Sequence, residues 1–270
     1  MTTSERAVAV LRPYGVVAGT RAIAAEVPVA IEVDGFGYAV MMMTPADLEA
    51  FAVGFMLTER LADSAADVVA VEPFEAENGW IVRVALSDRC RGRIHDRVRH
   101  RTSDTSCGLC GISGLEQLRR PAPVAPRPVA TGGAVFAALA ALRDHQPLNA
   151  ATGAVHAAAA CAPDGRIVAA YEDVGRHNAL DKLVGARALA GEAIDGFILV
   201  SSRVSFEMVD KTLVAGAPML VGISAPTDLA IGHAAAHGLT LLALARRDAV
   251  LVVNDPHGLF VVKDGSEGGT

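Results

Sequence analysis

Cys107 and Cys110 are separated by two residues in the run Thr105-Ser106-Cys107-Gly108-Leu109-Cys110-Gly111. A C-x-x-C pair suits three chemistries: a dithiol redox couple, half of a tetrahedral metal site, or a carrier that holds sulfur as a persulfide. Each works through thiolate, and a thiol at its ordinary pKa of about 8.5 is only roughly 3% ionised at pH 7. Gly108 and Gly111 leave the backbone free to turn tightly. Ser113 and Glu116 form an S-x-x-E capping box, so a helix is expected from Gly114, its N-terminal amides facing the loop and favouring anionic sulfur. Spacing alone does not choose among the three chemistries. A structural zinc site needs four ligands and no second C-x-x-C exists, so no structural metal is expected. A thioredoxin-like redox pair opens a helix straight after a strand, a context this run lacks. The two remaining cysteines, Cys90 and Cys161, read as packing residues.

Just upstream, Arg89, Arg91, Arg93, Arg97, Arg99 and Arg101 crowd together with His95 and His100. Such a patch draws an acidic partner surface or phosphate groups toward the cysteines, or it is a solvated loop; both readings stand. Further along, three polar runs follow one another. Glu172 to Lys182 places Arg176, His177, Asn178 and Lys182 at a strand-to-helix junction, while Ser201 to Ser205 and Ser224 to Thr227 repeat the theme at the next two strand ends. Singly, each is an ordinary capping arrangement. Together they predict a pocket for a hydroxyl-rich, phosphate-bearing ligand, with Arg176, Lys182 and Arg203 as charge partners and Ser205 beside them.

These groups must be held by regular elements. Val27 to Val33 and Tyr38 to Met43 read as a hairpin around Asp34-Gly35, and Thr44 as the N-cap of a helix with Pro45 at its first position, running to about Leu61. A second hairpin spans Val68 to Phe74 and Trp80 to Leu86, turning at Asn78-Gly79. Pro121, Pro123, Pro126 and Pro128 favour extended chain and mark a boundary. Beyond it come an Ala-rich helix near 134–143, two strands around Asp164-Gly165, and strands at 197–200, 219–223 and 240–244. Helices starting near His177, Ser205 and Asp228 separate them. The expected fold is α/β: an N-terminal α+β subdomain over residues 1–125 carrying the cysteine loop, then a layered α/β domain over 126–270 with a mostly parallel sheet.

Composition narrows the functional classes. A chain of 270 residues with 51% hydrophobic content buries a large core, and its formal net charge of −6 argues against a general nucleic-acid binder. The first fifteen residues mix Glu5, Arg6 and Arg12 with short apolar runs, offering neither a signal peptide nor a membrane span, so a cytoplasmic location is expected.

Five blocks resemble the formate dehydrogenase accessory sulfurtransferase family, FdhD/NarQ: VMMMTPADLEAFAVGFMLTERL from Val40, TSCGLCGISGLEQL from Thr105, YEDVGRHNALDKLVG from Tyr171, SSRVSFEMVDK from Ser201 and SAPTDLA from Ser224. The resemblance implies a homodimeric sulfurtransferase that accepts sulfur from a cysteine desulfurase as a persulfide. It then delivers that sulfur to Mo-bis(molybdopterin guanine dinucleotide), bound as substrate, for the formate dehydrogenase apo-enzyme. By position, Cys107 takes the persulfide and Cys110 matches the second family cysteine. The family's cofactor segment falls on Leu244, Ala245, Arg246, Arg247, Asp248 and Ala249, where Ala243-Leu244 replaces the family's Gly-Phe; Ser202 stands where the family prefers glycine. The resemblance also implies a second domain similar to cytidine deaminases. Those enzymes hold zinc with H-x-E and P-C-x-x-C at two helix starts, and the corresponding starts here, Gly175-Arg176-His177-Asn178 and Ser202-Arg203-Val204-Ser205, carry neither.

Overall fold

Asp34 and Gly35 both adopt positive φ, 48° and 82°, the conformation that a tight hairpin turn demands. They join two strands, Val27–Val33 and Phe36–Met43. The computed structural model that shows this describes residues 1–98 and 121–260. Cys107, Cys110, the helix start expected at Gly114, and Arg99, His100 and Arg101 lie outside the described residues.

In chain order the strands are β1 (Thr3–Arg12), β2 (Gly15–Ala24), β3 (Val27–Val33), β4 (Phe36–Met43), β5 (Val68–Ala76), β6 (Gly79–Leu86), β7 (His156–Cys161), β8 (Ile167–Asp173), β9 (Phe197–Val200), β10 (Met219–Gly222), β11 (Thr240–Ala243) and β12 (Leu251–Asn254). The helices are α1 (Leu48–Thr58), α2 (Asp88–Val98), α3 (Gly132–Ala141), α4 (Pro147–Thr152), α5 (Arg176–Leu189), α6 (Phe206–Val214) and α7 (Asp228–Ala236). β1 and β2 form a separate two-stranded ribbon, β4-β3-β6-β5 a four-stranded sheet, and β12-β11-β10-β9-β7-β8 a six-stranded sheet.

The four-stranded sheet alternates cleanly. Val29, Ile31 and Val33 of β3 and Val82, Val84 and Leu86 of β6 turn inward onto α1, whose Phe51, Phe55 and Met56 are buried. α1 lies against α5, and α5 with α6 and α7 covers one face of the six-stranded sheet; α3 covers the other. One core therefore runs from the small sheet through α1 and α5 into the large sheet, across the boundary set at residues 125/126.

Several expectations need correcting. The large sheet is mixed: only β9/β10 and β10/β11 pair in parallel, while β7/β8, β7/β9 and β11/β12 are antiparallel, because a hairpin opens this sheet and a short return strand closes it. α1 begins at Leu48 with Asp47 as its cap in a left-handed conformation, not at Thr44. Thr44 is held elsewhere: its N–H donates to Asp173, its hydroxyl accepts from the Val174 N–H, and its carbonyl accepts from Lys182. The second hairpin turns on Glu77 and Asn78, with Gly79 already the first residue of β6. β1, β2, α4 and β12 were not expected at all.

Candidate functional site

Parallel strands that end side by side leave their loops at one end of the sheet, where amides and hydroxyls are free for a ligand. β9, β10 and β11 do this, and backbone bonds stitch their following loops together. Val204 N donates to Ala225 O at 3.1 Å and Thr227 N to Val204 O at 3.0 Å; Leu244 N donates to Ser224 O at 3.2 Å and Ala245 N to Gly222 O at 3.1 Å. Gly222 sits at this seam, where a Cβ would lie 2.4 Å from Val204 Cγ2. Of the three polar runs expected to converge, those at 201–205 and 224–227 are stitched together, and Leu244 and Ala245 join them.

Within that segment the parts differ. Ala245 is buried, whereas Leu244, Arg246, Arg247, Asp248 and Ala249 are exposed. Leu244 takes φ 48°, a left-handed conformation that a branched side chain rarely adopts. The Arg246 guanidinium donates to the Ile223 and Ala245 carbonyls, which folds it back onto the β10 loop. Arg203 stands exposed on the neighbouring loop.

The α5 start contributes a second group. Gly175 caps the helix without a side chain, and its N–H donates to Asp173 at 2.8 Å. Arg176 Nε, His177 Nε2 and, at the α6 cap, Ser205 Oγ are buried and lack a hydrogen-bond partner among the described residues. Buried polar atoms are ordinarily satisfied, so three orphans at two adjoining helix starts are the groups that a polar ligand would complete. His177 is held neutral: burial first, then the positive charges of Lys211, Arg176 and His156, push its pKa down to about 3. His156, at the start of β7, is shifted down as well, chiefly by burial. Nothing in the sequence signals His156, a single histidine ahead of an alanine run; only the strand pairing brings it opposite Asp173.

The His177 shift has a measurable consequence. Between the folded value of about 3 and the ordinary value of 6.5, the unfolded chain takes up a proton that the folded chain refuses. Stability from this group is complete above pH 6.5 and falls as pH drops, by about 1.4 kcal/mol per pH unit. On going from pH 6.5 to pH 5, wild type is expected to lose about 1.6 kcal/mol more than His177→Gln in urea unfolding. Equal losses in the two chains would disprove the buried neutral imidazole.

Two residues expected at the ligand are instead structural. Lys182 is fully buried, with Nζ 2.7 Å from Asp173 Oδ2 and 3.1 Å from Thr44 O. Asn178 donates to Asp173 Oδ1 and to Met42 O, both at 3.0 Å. A lysine in this position spends its charge on the buried carboxylate and cannot reach a phosphate at the sheet end. A second buried cluster lies deeper, where Lys211 Nζ meets both oxygens of Asp181 at 2.8 Å and Thr58 Oγ1 donates to Asp181 at 2.7 Å.

The arginine stretch is also reinterpreted. As far as Val98 it forms α2 rather than a loop, and its first three arginines are matched internally: Arg89 takes both oxygens of Asp67, Arg93 both oxygens of Asp63, and Arg91 pairs with Asp88 at 3.1 Å. The Arg89 guanidinium holds the Asp67 carboxyl far below its usual range. Asp63, Asp67 and Cys90 bring potential metal-ligand atoms within 4.8 Å of one another, but the cluster is built around that guanidinium. Cys90 and Cys161 are buried as expected of packing residues, and burial pushes the Cys161 thiol up to about 12. On α7, His233 and His237 have the i, i+4 spacing of a two-histidine metal face, which the sequence reading passed over. His233 Nε2 lies 3.0 Å from Asp210 and His237 Nδ1 3.0 Å from the His233 carbonyl, so both rings are engaged within the fold. Among the described residues, no helix is long and apolar enough to cross a membrane.

Comparison with known proteins agrees with this architecture. A solved structure from Desulfotalea psychrophila, that of a candidate formate dehydrogenase accessory protein, superposes with a TM-score of 0.74 at 24% identity, over 95% of this chain and 99% of that one. A sulfur carrier protein FdhD from Bordetella petrii is 44% identical over 262 residues, 93% of this chain and 92% of the relative. Another of the same name, from Agrobacterium fabrum, is 47% identical over 231 residues, covering 84% and 85%. The model of the FdhD/NarQ family matches residues 24–260, nearly the whole of the described fold, and the chain belongs to that family.

Proposed function

We propose that this protein is a sulfur carrier that takes sulfur from a cysteine desulfurase onto Cys107 and passes it to a molybdenum cofactor bound at the sheet end. The observation that carries the ligand half of this reading is the convergence of the 201–205, 223–227 and 244–249 loops beside the orphaned Arg176, His177 and Ser205 atoms. The carrier half rests on the TSCGLCG block and on relatives named for sulfur carriage.

Loading is an exchange between sulfurs. The Cys107 thiolate attacks the terminal sulfur of the donor's persulfide, the donor's S–S bond breaks, and its thiolate leaves; electrons balance without an added oxidant. Cys110 stands ready as the second thiol of the pair. The substrate is Mo-bis(molybdopterin guanine dinucleotide), destined for formate dehydrogenase. Its phosphates and ribose suit a site bordered by Arg203 and two helix N-termini, where charge-assisted bonds and helix dipoles favour anions. The fold's task is placement, so the protein acts as a sulfurtransferase by holding donor sulfur and acceptor cofactor on one scaffold.

Mass spectrometry after incubation with a desulfurase and cysteine tests the first half. Cys107 is expected to gain the mass of one or more sulfur atoms, reversibly under reductant, and Cys107→Ala to gain none there. Calorimetric titration with GDP tests the second: Arg203→Ala should bind roughly ten-fold more weakly, since one charge-assisted hydrogen bond contributes about 1.5 to 3 kcal/mol. Sulfur loading should be unchanged in Arg203→Ala. Absence of GDP binding to wild type, or loading of sulfur elsewhere than Cys107, would overturn the corresponding half.

A further inference from the structure

The helices that start at the ligand end of the large sheet finish at its other end, and there they leave a hollow. α5 runs fourteen residues from Arg176 to Leu189, about 21 Å, so its last turn lies that far from the orphaned atoms at its start. A cavity of about 730 Å³ opens beside that turn. Val184 and Ala188 of α5 form one wall, Leu57 near the end of α1 a second, and Val214 and Ala215 at the end of α6 a third. With only alanine at 188 and 215, the three helix ends meet without side chains large enough to fill the space between them.

One polar group in this wall is unsatisfied. The Arg187 guanidinium donates from its two terminal nitrogens to Glu192 and to the Ala193 carbonyl, while its Nε is buried and has no hydrogen-bond partner among the described residues. Other charges at the rim are matched within the fold, Asp63 by Arg93 and Arg60 by Asp210. Apolar walls take a bulky side chain, and a lone buried N–H beside them takes an acceptor. A short stretch of extended peptide presents that combination, an apolar side chain next to a free backbone carbonyl.

Position says whose peptide this is. The stretch that carries Cys107 departs after α2 and rejoins the described fold at Pro121, and both points adjoin the cavity. Pro121 and Pro123 line it, and α2 is tied to its rim where Arg93 donates to Asp63 and to the Arg60 carbonyl. Cys107 is nine residues past Val98, hence within about 30 Å of it even at full extension, so a protein that hands sulfur to Cys107 works inside that radius. The sheet end is occupied by cofactor at delivery, which leaves the donor this opposite end. We propose that the cavity is the docking socket of the sulfur donor: an extended apolar segment of the cysteine desulfurase seats a bulky side chain between α1, α5 and α6 and a carbonyl against Arg187 Nε. The identity of the donor rests on the carrier reading above; the socket adds where and by what chemistry it is held.

Two variants alter the socket and leave the sheet end alone. Ala188→Trp fills it from a half-buried position on α5, and Arg187→Met removes the N–H at similar side-chain length. In calorimetric titration of a cysteine desulfurase into the full chain, each is expected to bind roughly ten-fold or more weakly, the scale of losing one buried anchor. Loading of Cys107, followed by mass spectrometry, is expected to slow by a similar factor with that desulfurase and cysteine as donor. With glutathione persulfide, which is too small to need a docking surface, both variants are expected to load at the wild-type rate. A variant that melts as wild type does and keeps its desulfurase affinity, or one whose loading slows equally from both donors, would overturn the socket. If wild-type Cys107 gains sulfur from neither donor, the carrier reading fails instead, and the desulfurase affinities still decide the socket.

Discussion

Gly185→Ala is expected to destabilise the fold by more than about 3 kcal/mol, lowering the melting temperature by on the order of 10 °C for a chain of this size. α1 and α5 cross in backbone contact. A Cβ on Gly185 would lie 1.8 Å from Ala50 O and 2.5 Å from Gly54 N, and a Cβ on Gly54 would lie 1.8 Å from Asp181 O. These are main-chain atoms within helices and cannot swing aside as a side-chain terminus does, so the helices must part. Parting them also strains the Thr58–Asp181–Lys211 cluster that bridges α1, α5 and α6. Gly232 is the control: it lies inside α7 with nothing within 4 Å of its Cβ position, so Gly232→Ala should gain about 0.5–1 kcal/mol from helix propensity. Thermal melts of the two variants beside wild type should move in opposite directions. A Gly185→Ala melt within a degree or two of wild type would mean that the helices do not cross so closely.

Lys182→Met should cost about 3–5 kcal/mol, because it leaves the Asp173 carboxylate fully buried without its counter-charge. Asp173 also accepts the Thr44, Gly175 and Asn178 donors, so its loss releases the corner between β4 and α1 from the start of α5. The double variant Lys182→Met/Asp173→Asn should recover part of the stability, since an amide oxygen still accepts from Gly175 and Asn178 and no buried charge remains, although the amide NH2 then meets the Thr44 N–H. Urea unfolding of the single and double variants measures this. A double variant no more stable than Lys182→Met would show that the carboxylate's charge is not the source of the loss.

Local signals carried most of the element order. The Asp34-Gly35 turn, the helix starts near Ser205 and Asp228 and the buried runs at β9, β10 and β11 depend on neighbours in sequence, and each lies where its pattern put it. What escaped was set at long range. Thr44 has the pattern of an N-cap, yet its polar groups are claimed by Asp173, Val174 and Lys182, more than a hundred residues away. The direction of a strand is likewise invisible to periodicity, which is why β7 and β12 turned an expected parallel sheet into a mixed one. β1 and β2 hid because a ribbon exposed on both faces has no buried side to impose alternation on its residues. At the site, the meeting of the 201–205 and 224–227 loops was legible from polar runs that follow apolar strands, whereas the 244–249 segment was marked only by the family resemblance. The roles within it were not: Lys182 and Arg203 look alike as cations, and only burial separates the one that holds the fold from the one left free at the surface.

The glycine crossing of α1 and α5 bears on how a carrier of this build can move. With main chains in contact at the middle of one shared core, there is no hinge plane between the halves and no layer of side chains to act as a lubricant. The body behaves as a stiff jig that holds the loops at the end of the large sheet in fixed register with the small sheet. The crossing helices are then the part of the fold that tolerates least change.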